Sequence, residues 1–130
     1  MADASADVTE GLSVTGQVSN AMVKLYKEQF GRGPVEARTD FAGPDALICT
    51  LTDSMTPAEK NLAEMGEHQR LRDTRLFFQH ATETAFRTMV EQITGRNVVA
   101  FVSGIDTERD VSSEVFYLEP QRHRPAGSGS

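Results

Sequence analysis

Apolar side chains recur every three or four residues in two stretches of the chain, which is the period of a helix with one buried face. The first stretch predicts a helix over 14–30, with Ser13 as its N-cap and Gly31 at its end. The second predicts a helix over 67–94, and its apolar stripe consists of Leu71, Phe78, Ala81, Ala85, Phe86, Met89, Val90 and Ile93.

The second predicted helix is long for a domain of this size. Residues 67–94 span roughly 40 Å at a rise of 1.5 Å per residue. A compact domain with this number of residues has a smaller diameter, so we expect part of the helix to project or to pack on another subunit.

A short helix is predicted before the long one. Thr56 can cap its start, Pro57 suits the first helical position, and Glu59 can close a capping box with the threonine. Gly66 then interrupts the helical pattern and separates the two helices.

Four stretches have the pattern of strands. Residues 35–41 alternate strictly between apolar and polar, and 46–52 follow the turn residues 43–45 as a more buried strand. Residues 98–103 and 111–118 predict a second pair. The element order αββααββ predicts an α+β fold, in which two hairpins form one four-stranded, mostly antiparallel sheet with helices packed on one face. The strand order within the sheet stays open.

The two ends of the chain lack these patterns. Residues 1–12 are small and acidic, and 121–130 are first basic and then rich in Pro, Gly and Ser, so both are predicted to be disordered tails. A chain of 130 residues suits one hydrophobic core. We therefore expect a single domain over 13–120.

Composition and charge exclude several classes of partner. The net charge of −6 gives no attraction for phosphate backbones, so nucleic acid is not an expected partner. No apolar run of about 18 residues exists and the first residues lack the features of a signal peptide, which predicts a cytoplasmic protein that is not membrane-inserted. Cys49 is the only cysteine, so no internal disulfide can form, and we expect it to be a small buried residue.

No catalytic or metal-binding motif is recognisable. The three histidines do not have the spacing of metal ligands, and no serine lies in a Gly-x-Ser-x-Gly motif, so we predict no metal, no cofactor and no catalytic residue. An enzyme that uses carboxylates near the strand ends stays open as an alternative, and its candidate residues are Asp53, Asp106 and Glu114.

Arginine is the basic residue that this acidic chain uses most, and its guanidinium suits bidentate binding of carboxylate or phosphate. If the arginines around the first strand and the start of the long helix converge, they form a site for a small anion. The alternative is an exposed helix face whose arginines pair with Glu64, Glu67 and Asp73. The candidate anion-binding residues are Arg32, Arg38, Arg70, Arg72 and Arg75.

Two aromatic residues are candidates for a subunit interface, Phe77 and Tyr26. Phe77 is adjacent to Phe78, and neighbouring positions of a helix cannot both lie at the centre of one stripe. Phe77 therefore either widens the buried face or anchors a second subunit.

Four blocks of the chain, 20–34, 51–60, 93–101 and 114–120, follow the pattern of a known family in the same order. They read NAMVKLYKEQFGRGP, LTDSMTPAEK, ITGRNVVAF and EVFYLEP. Over about 14–120 the sequence thus resembles the MpsC family, small bacterial proteins named for a Na+-translocating, membrane-potential-generating system.

The resemblance implies a role beside a membrane system for the uptake of cations or inorganic carbon, and it supplies no catalytic residues. The resulting hypothesis is a non-enzymatic accessory or regulatory domain. It is expected to self-associate, with a dimer favoured, and to dock on a partner such as a membrane transport protein. The alternative is a sensor domain that binds a small anion or nucleotide with its arginine cluster.

Overall fold

Within residues 13–121, three helices and four strands occur in the order that the sequence predicts. The computed structural model describes residues 13–121, so the two predicted tails, apart from Gln121, lie outside the described residues. The elements are α1 (Val14–Phe30), β1 (Glu36–Phe41), β2 (Ala46–Thr52), α2 (Pro57–Glu64), α3 (His68–Thr94), β3 (Val98–Asp106) and β4 (Val111–Leu118).

The predicted helix ends are confirmed by their capping geometry. The Ser13 side chain accepts a hydrogen bond from the Gly16 amide, and Gly31 ends α1 with a φ of 83°. At α2, the Glu59 amide donates to the Thr56 hydroxyl at 3.2 Å, while the Thr56 amide donates to the Glu59 carboxylate at 2.8 Å. These reciprocal bonds satisfy two amides that an isolated helix start leaves without partners.

The four strands form one antiparallel sheet in the order β1-β2-β4-β3. Each predicted hairpin is present, and the pairing of β2 with β4 joins the two hairpins. The central strands are therefore β2 and β4, and the edges are β1 and β3. The predicted α+β class and element order are confirmed, and β3 extends three residues beyond the predicted 98–103.

The hydrophobic core lies between one face of the sheet and the helices α1 and α3. Tyr26 and Phe86 stack in parallel across it with ring centroids 6.0 Å apart. Cys49 is buried on β2, as expected from the sequence. The remaining buried residues of this cluster are Val18, Met22, Leu47, Leu51, Val90, Val98, Phe116 and Leu118.

The first half of α3 buries polar side chains where an apolar stripe was expected. Arg75 and Gln79 face inwards together with Leu71, whereas Phe78 and Ala81 are exposed. The inward positions follow each other at intervals of four residues and share one helix face. The interior offers carboxylates to Arg75 and Gln79, and this decides which side of the helix is buried.

Within residues 13–121, no helix combines the length and the apolar character that a bilayer crossing requires.

Candidate functional site

The connection from β2 to α2 is bound to the opposite hairpin by one aspartate. The Asp110 carboxylate accepts hydrogen bonds from the amides of Ser54, at 3.0 Å, and Met55, at 3.0 Å to its nearer oxygen. The Asp53 amide donates to the Asp110 carbonyl at 2.9 Å. Asp53 and Asp110 both have a φ of 55°, a left-handed conformation that aspartate tolerates better than most residues. The connection is thereby held in one shape.

Arg75 lies under this connection and is only 2% exposed. Its guanidinium makes a bidentate ion pair with Glu59, with Nε to Oε2 at 2.7 Å and Nη2 to Oε1 at 2.9 Å. Its Nη2 also donates to the Ser54 carbonyl at 3.3 Å. The Phe30 ring covers the guanidinium, with 4.7 Å from Cζ to the ring centroid. Arg75 thus connects α3 to α2 and to the end of α1.

Glu59 keeps the buried arginine charged. Burial lowers the pKa of Arg75, but the hydrogen bonds and negative charge of Glu59 outweigh burial and leave this pKa above its usual value. A buried cation without such a partner would be strongly destabilising. Arg75 is therefore a structural cation whose charge is already balanced.

A second buried charge lies on the inner face of β4. Glu114 is fully buried, and its Oε2 accepts hydrogen bonds from the Tyr26 hydroxyl and from Gln79 Nε2, the latter at 2.9 Å. Burial raises the pKa of Glu114 to about 7, although Ser103, Tyr26 and the Arg75 charge pull it down. Burial, followed by the Glu114 charge, also raises the pKa of Tyr26. The core thus contains a carboxyl group that titrates near neutrality.

A pocket of about 250 Å3 opens between the first half of α3 and the end of β3. Arg75 and Gln79 line its inner side, Arg72 and Leu76 its helix side, and Ser103 the strand side. Arg75 Nη1 is buried at this pocket without a hydrogen-bond partner within residues 13–121. The Ser103 hydroxyl lies opposite Glu114 in the sheet, and its interaction with that carboxyl group lowers the Glu114 pKa. This pocket therefore combines a concave surface with an unused donor of a buried guanidinium.

The five arginines predicted to bind an anion have different partners. Arg32 donates to the Met55 carbonyl at 2.7 Å. It therefore binds the same β2–α2 connection as Arg75, which donates to the Ser54 carbonyl. Arg72 lines the same pocket as Arg75. Arg38 pairs with Asp40 on the first strand, and Arg70 pairs with Glu67 at 3.8 Å. Anion binding by these residues stays a prediction, and the structure brings Arg72 and Arg75 together at one pocket.

The predicted interface residues have opposite exposures. Tyr26 is fully buried and bonded to Glu114, so it has no surface to offer a second subunit, which corrects its assignment to an interface. Phe77 is 69% exposed and does not widen the buried face of its own chain. An interface at Phe77 stays a prediction.

The candidate carboxylates lie in three different settings. Asp53 pairs with Lys60 at 3.2 Å and with Arg32, and the hydrogen bond to Lys60 is the main cause that lowers its pKa. Asp106 accepts the amides of Glu108 and Arg109, both at 2.9 Å. Glu114 is the buried group described above. Among residues 13–121 no three His, Cys, Asp or Glu side chains come together as metal ligands.

Sequence reasoning missed the partners that hold the two buried charges. The capping pattern identifies Glu59 only as a helix cap, and no sequence pattern singles out Gln79. By sequence, Glu114 is grouped with the strand-end carboxylates, although it alternates with Phe116 and Leu118 and so lies on the buried face. That alternation was the available signal.

Comparison with known proteins gives one finding. The family model described as Na+-translocating membrane potential-generating system (MpsC) matches residues 12–120. The search of curated proteins gives no match, and the search of solved structures gives none either. Since the match covers most of the sequence, this chain belongs to the MpsC family.

Proposed function

We propose that this chain is a non-enzymatic accessory or regulatory domain of a membrane cation-transport system, and that it acts by self-association and by docking on a transport protein. The observation that carries the proposal is an exposed row of two aromatic side chains on α3, whose rings are in contact. Phe77 and Phe78 are 69% and 45% exposed. The family description supplies the setting, because it names a system that translocates Na+.

The exposed row has the chemistry of a protein-binding surface. Burying a phenylalanine side chain is worth about 1.5–3 kcal/mol, which this chain forgoes at Phe77. Contiguous exposed apolar surface marks interaction sites, and aromatic residues are enriched in them. The Phe77 and Phe78 rings meet edge to face at 5.7 Å, and Phe78 meets Phe30 at 6.2 Å. These contacts restrict the rings before binding and reduce the entropy lost on docking.

The charge of the chain favours a basic partner surface. Its formal net charge is −6. Short cytoplasmic loops of membrane proteins carry an excess of Lys and Arg, so an acidic domain is attracted to that side of a transport protein. We therefore assign the exposed row to the loop surface of an integral membrane transport protein.

The candidate carboxylates support a non-enzymatic role. Asp53 and Asp106 are each engaged by neighbouring cations or amides, and Glu114 is buried in the core beneath α3. A catalytic pair needs two groups that reach the same substrate. These three have separate structural partners.

Site-specific crosslinking tests the docking surface. A photoreactive residue at position 77, introduced in the native cells, is expected to form an adduct with an integral membrane protein. Val35 has the same exposure of 69% and lies beside the β1 edge, so a photoreactive residue there is the matched control. Equal adducts at both positions, or none at position 77, would overturn the proposal.

Membrane vesicles from the same cells provide a second readout. Phe77→Ser is expected to lower the bound fraction at least several-fold, whereas Val35→Ser leaves it unchanged. Protease treatment of the vesicles should abolish binding of the native chain. Binding that survives this treatment would indicate a lipid surface and contradict docking on a protein.

A second candidate function, small-anion sensing, is favoured by the pocket at Arg72 and Arg75. Arg75 Nη1 is buried there without a hydrogen-bond partner among residues 13–121, and the Ser103 hydroxyl lines the same pocket. A volume of about 250 Å3 suits a small anion better than a nucleotide. An anion that binds the native state raises its melting temperature by mass action.

Thermal shifts with acetate, inorganic phosphate and nucleotides test this alternative. An increase with a small anion should be lost in Arg72→Ala and Ser103→Ala and kept in Arg38→Ala, because Arg38 does not line the pocket. No response to any probe would remove the sensor function.

A further inference from the structure

The two edges of the sheet differ in charge. The edge strand β1 has the sequence EARTDF, in which Glu36, Arg38 and Asp40 are charged. The edge strand β3 has the sequence VVAFVSGID, with no charged residue from Val98 to Ile105. Natural proteins place charges on edge strands to prevent pairing with another chain. β1 has this protection and β3 does not.

Within residues 13–121, the outer edge of β3 also forms no hydrogen bond to a helix or loop over most of its length. At its start, the Val98 amide donates to the Glu91 carboxylate at 2.9 Å, and the Val98 carbonyl accepts from Arg87 at 3.0 Å. Over 99–105, no hydrogen bond to a group outside the sheet is formed within the part of the chain that the structure describes. Seven consecutive residues therefore present an edge that can accept another strand.

Apolar surface borders this edge on both sides. On the sheet face opposite the helices, Val102 is 55% exposed, and the neighbouring Val99 is 59% exposed. On the helix side, Leu76 and Ile105 line the groove between α3 and β3. A strand added at β3 would thus gain main-chain hydrogen bonds and bury apolar side chains above and below the sheet.

We propose that β3 pairs antiparallel with β3 of a second copy of this chain about a two-fold axis, which joins two four-stranded sheets into one of eight strands. The inference rests on the self-association in the proposed function and goes further by assigning its surface. A two-fold contact uses the same patch on both subunits, so this patch must be complementary to itself. An uncharged strand meets that condition.

Charge explains why a second copy fits this edge and not the other. Each chain has a net charge of −6, so two copies repel each other over long distances. Pairing at β3 brings no charged side chain of 98–105 against its copy. Pairing centred on Val102 puts the two Val102 side chains opposite each other and Ala100 opposite Gly104 of the second copy. The groove beside Leu76 then lies at the seam and is covered.

Sedimentation of two variants with opposite charges at position 102 tests this interface. The native chain is expected to sediment as a dimer, at twice the 14.3 kDa of one chain, at high micromolar concentration. Val102→Lys and Val102→Glu should each sediment as single chains, because two like charges face each other across the axis. An equimolar mixture of the two variants should recover the dimer. Val35→Lys, the same change at an exposed position beside β1, should leave the native dimer intact.

The outcomes separate this inference from the function on which it rests. A native chain that sediments as a single chain overturns both self-association and the β3 interface. A native dimer that persists in Val102→Lys and in Val102→Glu overturns only the β3 interface. Docking on a membrane protein is measured at Phe77 and does not depend on either result.

Amide hydrogen exchange on the native protein avoids variants that fail to fold. Those amides of residues 99–105 that point away from β4 are expected to exchange at least ten-fold more slowly at high protein concentration than at a concentration below the dimer dissociation constant measured by sedimentation. Fast exchange at both concentrations contradicts the pairing. Equal protection at both contradicts it as well, because a segment of the same chain would then cover the edge.

Discussion

Tyr26 and Glu114, 88 positions apart in the chain, meet in the core, where the tyrosine hydroxyl donates a hydrogen bond to the carboxylate. Tyr26 comes from α1 and Glu114 from the centre of the sheet, and Gln79 of α3 donates to the same oxygen at 2.9 Å. Two helices and the sheet thus converge on one buried carboxyl group. Its ionisation is therefore coupled to the stability of the whole fold.

Stability is predicted to fall as pH rises from about 4.5 to about 7. Burial raises the pKa of Glu114 from 4.5 to about 7, so the unfolded chain loses this proton at a lower pH than the folded chain. The stabilisation is complete below the unfolded pKa and is lost as pH passes the folded pKa. The loss is on the order of 3 kcal/mol, at 1.36 kcal/mol per pKa unit.

The Glu114→Gln variant isolates this contribution. Urea unfolding across that pH range should show a flatter stability profile for Glu114→Gln than for the native chain, and greater stability of the variant above pH 7. Glu36→Gln is the control, because Glu36 is exposed on β1. Identical slopes in the native chain and Glu114→Gln would contradict a raised pKa.

Arg75→Ala is predicted to destabilise the domain by about 3–5 kcal/mol, the usual cost of removing one partner of a buried ion pair. Glu59 would lose its bidentate partner, and the Phe30 ring would lose the cation that it covers. Arg70→Ala is the matched control on the same helix. Arg70 is mostly exposed and pairs with Glu67 at 3.8 Å, so its loss should cost less than about 0.5 kcal/mol.

Denaturant unfolding of both variants measures this difference. Combining Arg75→Ala with Glu59→Gln should cost less than the sum of the single changes, because each removes the same contact. Equal midpoints for Arg75→Ala and Arg70→Ala would show that the buried pair contributes no more than an exposed one.

Local signals in the sequence are sufficient to predict the elements of this fold. Ser13, Thr56 and Gly95 lie at helix ends that capping rules identify. The strand order could not be predicted, because the pairing of β2 with β4 joins residues from Thr52 and Val111, 59 positions apart, to Ala46 and Tyr117, 71 positions apart, and leaves no local pattern. Distant pairing is decided by the packing of the whole chain.

The candidate site was harder to predict for a related reason. Arg75 and Gln79 lie on the buried side of α3 because Glu59 and Glu114 accept their hydrogen bonds there. A hydrophobicity pattern treats both residues as exposed, since it contains no information about such partners. Phe78 gave the opposite error, because its apolar side chain fits the period of the predicted buried stripe although it is 45% exposed.

Cys49 is predicted to be unreactive in the folded protein. Burial raises the pKa of its thiol to about 11, against the opposing effect of Thr39, and the side chain has no exposed surface. Reaction with a thiol reagent should therefore require unfolding and be slower than that of an exposed cysteine by a factor on the order of a thousand. The variant Val35→Cys supplies that exposed cysteine. Equal labelling of both thiols without denaturant would contradict burial.

Asp110→Ala is predicted to loosen the β2–α2 connection and to cost on the order of 1–3 kcal/mol, because the amides of Ser54 and Met55 lose their acceptor. Asp110 also has a φ of 55°, which alanine tolerates poorly. Asp110→Asn keeps an accepting oxygen and tolerates this φ, so its cost should be smaller. Asp110→Gly relieves the backbone strain, but it still leaves the amides of Ser54 and Met55 without an acceptor.

Two measurements on the three variants separate the lost hydrogen bonds from the backbone strain. They are denaturant unfolding and amide exchange at residues 54 and 55. If the hydrogen bonds dominate, Asp110→Gly remains close to Asp110→Ala, and both amides exchange faster than in Asp110→Asn. If Asp110→Gly is as stable as the native chain, backbone strain alone explains the effect. The carboxylate would then not hold the connection against which Arg75 and Arg32 pack.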